Sequence, residues 1–174
     1  LNMAKGYRNG DEIELVGLRD IPAGALLTSV DDLSQFIKMV FANGNSDGRR
    51  IIKANTLSEM LTRQNADVEL DFDLQMGLSW FLESKSSMSG ERKASHGGGT
   101  LLYHSQLSIL PESKLGVIVM SNAQSGRQVV DKVAEEALKL ALEVKTGRKP
   151  AESKKEELPA IVDSLENTPF PVEG

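Results

Sequence analysis

The chain has 174 residues, 40% of them apolar and 26% charged, with a net charge near −5 and no cysteine. That balance suits a globular domain with a sizeable core; it excludes disulfides, thiolate chemistry and cysteine-based zinc sites. It also argues against a general nucleic-acid binder, which needs a concentrated basic surface, and no apolar run reaches the length of a membrane span.

The first six residues, Leu1-Asn2-Met3-Ala4-Lys5-Gly6, hold no charged-then-apolar signal segment and no methionine at position 1, so we expect a chain that begins inside a longer gene product. Breakers at Gly6, Gly10, Gly17, Pro22 and Gly24 predict loop over residues 1–27, with at most a short strand at 12–16. Ser29 then caps a helix with Asp31 and Asp32 in its first turn. Leu33, Phe36, Ile37, Val40 and Phe41 share one face of it, and Gly44 closes it. A turn follows at 45–50, and Asn55 caps a short helix with Leu57, Met60 and Leu61 inward. The acidic stretch 63–74 lacks the glycine-centred loop of a calcium site and reads as a solvated loop.

From Met76 the period changes to two. Met76, Leu78, Trp80 and Leu82 alternate as one apolar face of a strand, with Trp80 a core residue. A Ser-rich turn is predicted at 83–92, then strands at 93–99, 101–110 and 115–121 with short connections, which implies an antiparallel meander. The longest helix is predicted from Arg127 to Lys145, with Val130, Val133, Ala134, Ala137, Leu138 and Ala141 as its apolar stripe and Gly147 as its stop. Residues 148–174 are rich in Lys, Glu and Pro and read as a linker or docking tail; Leu158, Ile161, Val162 and Leu165 could form one amphipathic turn. The whole is an α+β arrangement: helices, an antiparallel sheet, then a helix that lies back on it.

The stretch that invites chemistry is Ala94-Ser95-His96-Gly97-Gly98-Gly99-Thr100. Three glycines inside a strand give up packing and cost ordering entropy, so they belong where a ligand or another group approaches the backbone. Two readings stand: one wall of an active site, or a glycine-rich turn beside a surface histidine.

Four segments occur in the order of a known family: Pro22-Ala23-Gly24-Ala25-Leu26 running into Thr28-Ser29-Val30-Asp31-Asp32-Leu33, then Gly77-Leu78-Ser79-Trp80, then His96-Gly97-Gly98-Gly99-Thr100, then Leu115-Gly116-Val117-Ile118-Val119-Met120-Ser121-Asn122. Together they resemble the serine β-lactamase/penicillin-binding-protein superfamily, nearest its class C-like branch, over residues 4–145. The resemblance implies a β-lactamase/transpeptidase-like fold with its N-terminal portion missing. Residues 1–147 would be the C-terminal part of a serine hydrolase domain and 148–174 the tail. It implies acyl transfer through an acyl-serine intermediate on a small-molecule or peptide substrate, with no metal or organic cofactor. Serine and lysine of a Ser-x-x-Lys motif, and tyrosine of a Tyr-x-Asn motif, would come from the upstream part of the same parent protein.

On the same resemblance, His96 takes the place of the lysine in the third family motif, and the Gly99 N–H completes an oxyanion hole. Gly97 and Gly98 line the substrate, but Gly97 replaces a threonine whose hydroxyl contacts substrate carboxylate in β-lactamases, which leans the reading toward an esterase or peptidase. Arg127 matches a region where class C relatives carry an arginine for an anionic substrate group; capping or solvating the long helix is the alternative.

Three look-alikes are set aside. Tyr7-Arg8-Asn9 spells the second motif in the wrong part of the chain, and Lys145-Thr146-Gly147 spells the third at a helix end. Ser34 and Lys38 miss the nucleophile spacing by one, and no serine here is followed three positions later by lysine. His104 reads as a surface or groove residue. A non-catalytic peptide or cell-wall-fragment binding module on the same fold is the competing reading.

Overall fold

The structure, a computed structural model, describes residues 3–14, 17–68, 71 and 74–149, without the side chains of 84–87. All but the first two residues of the 148–174 tail, and part of the strand expected at 12–16, lie outside the described residues.

Two short hairpins frame the first half: β1 (Gly6–Arg8) with β2 (Asp11–Ile13), and β3 (Asn45–Ser46) with β4 (Arg49–Arg50). Between them lie α1 (Ile21–Gly24) and α2 (Val30–Phe41), and α3 (Ala54–Met60) follows. A five-stranded antiparallel meander comes next: β5 (Gln75–Met76), β6 (Phe81–Met88), β7 (Glu91–Gly99), β8 (His104–Leu110) and β9 (Leu115–Ser121). A 3₁₀ turn at Gln124–Gly126 feeds α4 (Arg127–Thr146).

Local chemistry explains most boundaries. The Ser29 side chain accepts from the Asp32 N–H at 3.1 Å, so α2 starts where expected. It ends in a Schellman arrangement: the N–H of Gly44 reaches Met39 O at 2.9 Å and that of Asn43 reaches Val40 O at 3.1 Å. Asn43, at φ 53°, holds the left-handed position that the sequence suggested for Gly44. Lys53, and not Asn55, occupies the N-cap position of the short helix, with no side-chain capping bond; Asn55 lies inside the first turn. Asn9-Gly10, Asp47-Gly48 and Ser89-Gly90 all have two positive φ values, the signature of tight two-residue hairpins.

The sheet corrects two expectations. The strand expected over 76–82 breaks at a turn, where Ser79 has φ 64° and the Gly77 N–H donates to Trp80 O at 2.8 Å. Leu78 is thereby exposed while Trp80 is buried. Most of the Ser-rich segment predicted as turn is strand β6, because β7 offers it a partner; only Ser89 and Gly90 are needed to reverse the chain.

Helices cover both sheet faces. Ile37, Val40, Leu57, Trp80, Ala94, Leu107 and Ile109 form one core cluster beneath α2 and α3, with Phe36 stacked on Trp80 at 6.2 Å. Gly116 is required there: a Cβ on it would meet Ile37 Cγ2 at 2.9 Å. Met88, Leu110, Leu138 and Leu142 form the second cluster, under α4. The buried line of α4 is Val130, Ala134, Leu138 and Leu142, so the stripe is rotated from the predicted one and leaves Val133 exposed.

Candidate active site

β7 pairs with β8 along its final six residues, Ala94↔Ile109 to Gly99↔His104, but with β6 only as far as Phe81↔Ser95. Before Phe81 the chain turns away, so His96, Gly97, Gly98 and Gly99 form an open sheet edge among the described residues.

Which amides face that edge follows from alternation. The Thr100 N–H donates to Tyr103 O at 2.9 Å, toward β8. Residues of the same parity, Gly98 and His96, therefore point their backbone groups at β8, and Gly97 and Gly99 point theirs at the open side. The other side agrees: Gly77 bonded to Trp80 directs Phe81 and Glu83 toward β7, where they pair with Ser95 and Lys93. Among the described residues, the Gly99 N–H thus has no ladder partner on its own side.

The His96 ring lies on the sheet face shared with Ala94 and is exposed, 6.2 Å from the Phe81 ring and tilted 46° to it. It is not immersed in apolar contacts. Over the glycines lean the polar side chains of β8. A Cβ on Gly97 would meet Gln106 Oε1 at 2.9 Å, and one on Gly98 would meet Ser105 Oγ at 2.5 Å. A Cβ on Gly99 would be 3.4 Å from His104 Nδ1 and 3.6 Å from Arg127 Nη1. Ser105 and Gln106 were missed by sequence reasoning. Their signal was the hairpin register, which sets each opposite a glycine once the Thr100–Tyr103 turn is known.

The predicted residues do not all share one face. His96 lies on the α2 side, whereas Arg127, at the start of α4, reaches Gly99 from the α4 side. His104 is bound to the fold: its Nε2 lies 3.1 Å from Gln124 O, which can only accept, so Nε2 carries the proton. Its Nδ1 is buried without a partner among the described residues.

Below this edge, on the α4 side, Lys93 is bonded to Glu83 and Glu135 at 2.7 Å each. Burial works against its charge, but hydrogen bonds and attraction from Glu135 and Glu83 outweigh it and raise the ammonium pKa above its ordinary 10.5. This network ties β6, β7 and α4 together and holds the strand that carries the site.

The look-alikes fall elsewhere. Tyr7 bridges to Ala123 beyond the end of β9, two strands from β7, and Asn9 occupies a hairpin turn. Lys145 donates to Ser113 O at the far end of α4, and Ser34 donates to Asp31 O within α2.

Two comparisons give the class of this α+β fold with its glycine-bare strand edge, that of the serine β-lactamases and penicillin-binding proteins. The family model described as Beta-lactamase matches residues 2–142, and the chain belongs to that family. Among solved structures it is similar to the octameric penicillin-binding protein homologue from Pyrococcus abyssi, at 25% identity and a TM-score of 0.55. That likeness covers 79% of this chain but 28% of the homologue, so the chain spans well under half the length of that relative. No curated protein matches.

Proposed function

We propose that this chain forms one wall of a serine-hydrolase site, in which acyl transfer proceeds through an acyl-serine whose nucleophile lies outside these 174 residues. The observation that supports this most is the unpaired edge at 96–99, with the Gly99 N–H directed outward. A fixed backbone donor there stabilises the oxyanion of a tetrahedral intermediate without reorganising. His96, exposed beside it, orients the substrate or biases proton transfer. Gly97 leaves no hydroxyl for a carboxylate, which favours an ester or peptide over a β-lactam. Arg127, whose guanidinium flanks Gly99, would hold an anionic substrate group.

The experiment is labelling with a fluorophosphonate probe. The 174-residue chain alone should not label, and a longer protein that carries Ser-x-x-Lys and Tyr-x-Asn ahead of it should label stoichiometrically. Labelling of the short chain would overturn the assignment of the nucleophile. A second reading, a non-catalytic module that binds peptide or cell-wall fragments in the same place, is favoured by the lack of any Ser-x-x-Lys in this chain. Replacement of either motif in the longer protein would select it.

A further inference from the structure

We propose that the acidic segment 150–174 docks back, within its own chain, into a basic-rimmed groove between the α2–α3 layer and the start of β7. Two cavities of about 220 and 330 Å³ share Leu61, Thr62, Arg92 and Pro111 and so form one groove. Val40, Leu57, Leu82 and Ala94 give it an apolar lining. Arg63, Arg92 and Lys114 supply cations at its rim, Arg92 being bonded to Glu112 at 2.8 Å; Lys93, also at the lining, is shared between Glu83 and Glu135 and adds no free cation.

Three observations select the occupant. The first is position: the last turn of α4 lies against the β8–β9 connection, where Lys145 donates to Ser113 O, and Pro111 and Lys114 of that connection line the groove. The chain therefore leaves α4 near that connection, on the other face of the sheet, and the nine steps from Lys149 to Leu158 reach up to about 30 Å, enough to pass round the sheet end. The second is charge: residues 150–174 carry six carboxylates against two lysines, opposite in sign to the rim. The third is pattern: Leu158, Ile161, Val162 and Leu165 recur at the spacing of one apolar face, which suits an apolar floor. The competing apolar surface, Val129, Val133, Leu140 and Val144 on α4, lies within a turn of Glu143 and of Glu136, the latter paired with Lys139 at 3.0 Å, and offers an acidic segment less attraction than the groove rim.

The chain has no cysteine, so a disulfide trap reads the docking directly in the full 174-residue protein. Ser58, exposed at the groove on α3, is changed to Cys together with Val162→Cys; a second protein pairs Val162→Cys with Val133→Cys on α4. Under mild oxidation the Ser58 pair should close within one chain at least about fivefold more than the Val133 pair. Arg63→Glu with Lys114→Glu, or 1 M salt, should reduce that closure. Equal closure of the two pairs, closure only between chains, or indifference to the charge reversal would each overturn the proposal. Hydrogen exchange on the cysteine-free chain gives an independent reading: amides near 158–165 should be slowed, and the double charge reversal should abolish the slowing. Unprotected amides in the parent chain would equally overturn it.

Discussion

Lys93 keeps a charge where little of its side chain meets water, because two carboxylates at 2.7 Å hold it. Its folded-state pKa is raised, so its contribution to stability is fully present below 10.5 and is lost as pH rises through the higher folded value. The thermal midpoint of the chain should thus fall in strongly alkaline solution, and Lys93→Met should flatten that fall. At neutral pH Lys93→Met should cost about 1–3 kcal/mol, below the range for fully buried pairs because Glu83 is nearly half exposed. Denaturant titration measures it; a cost near zero would show that the network adds nothing. At the site, Gly99→Pro removes the outward amide hydrogen and should lower kcat of the serine-containing protein by about 10²–10³. His96→Ala should lower kcat/KM by about 10²–10⁴. Retention of full activity by the Gly99 variant would remove the oxyanion role.

Among the elements, those with self-contained signals were legible in the chain. The start of α2 rests on one Ser29–Asp32 cap, and Ser29→Ala should cost about 1 kcal/mol; an unchanged midpoint in urea would show that packing alone fixes this end. α4 likewise stops at Gly147, at φ 68°, as its sequence requires. The strands were less legible. Residues 76–82 alternate like a strand yet contain a turn, because Trp80 enters the core beneath Phe36 and Gly77 bonds back to Trp80. β6 has a turn-like composition and is a strand because β7 pairs with it. Pairing between strands is a property of two segments, and neither segment states it alone.

Among the described residues, uncovered apolar side chains gather most densely in two stretches. Leu18, Ile21, Leu26, Leu27 and Val30 are all exposed, Leu26 by 80%, and the α4 stripe adds Val129, Val133, Leu140 and Val144. Patches of this kind mark contact surfaces or drive association. The chain by itself should therefore self-associate or aggregate in sedimentation velocity, and Leu26→Ser with Leu27→Ser should shift it toward smaller species. A monodisperse monomer with one sharp unfolding transition would refute this.

The sequence by itself determined the family, the α+β class with its two longest helices α2 and α4, and the His96–Gly99 stretch as a candidate site. Those features are written in short-range signals: caps, periodicity and a run of glycines. Only the tertiary structure decided that β7 pairs with β6 only as far as Ser95, that the Gly99 amide faces the open side, and that Arg127 and His104 approach from the face opposite His96. The reason is physical: an amide's direction depends on which neighbour takes the ladder on its other side, and a side chain's reach depends on the layer packed above it.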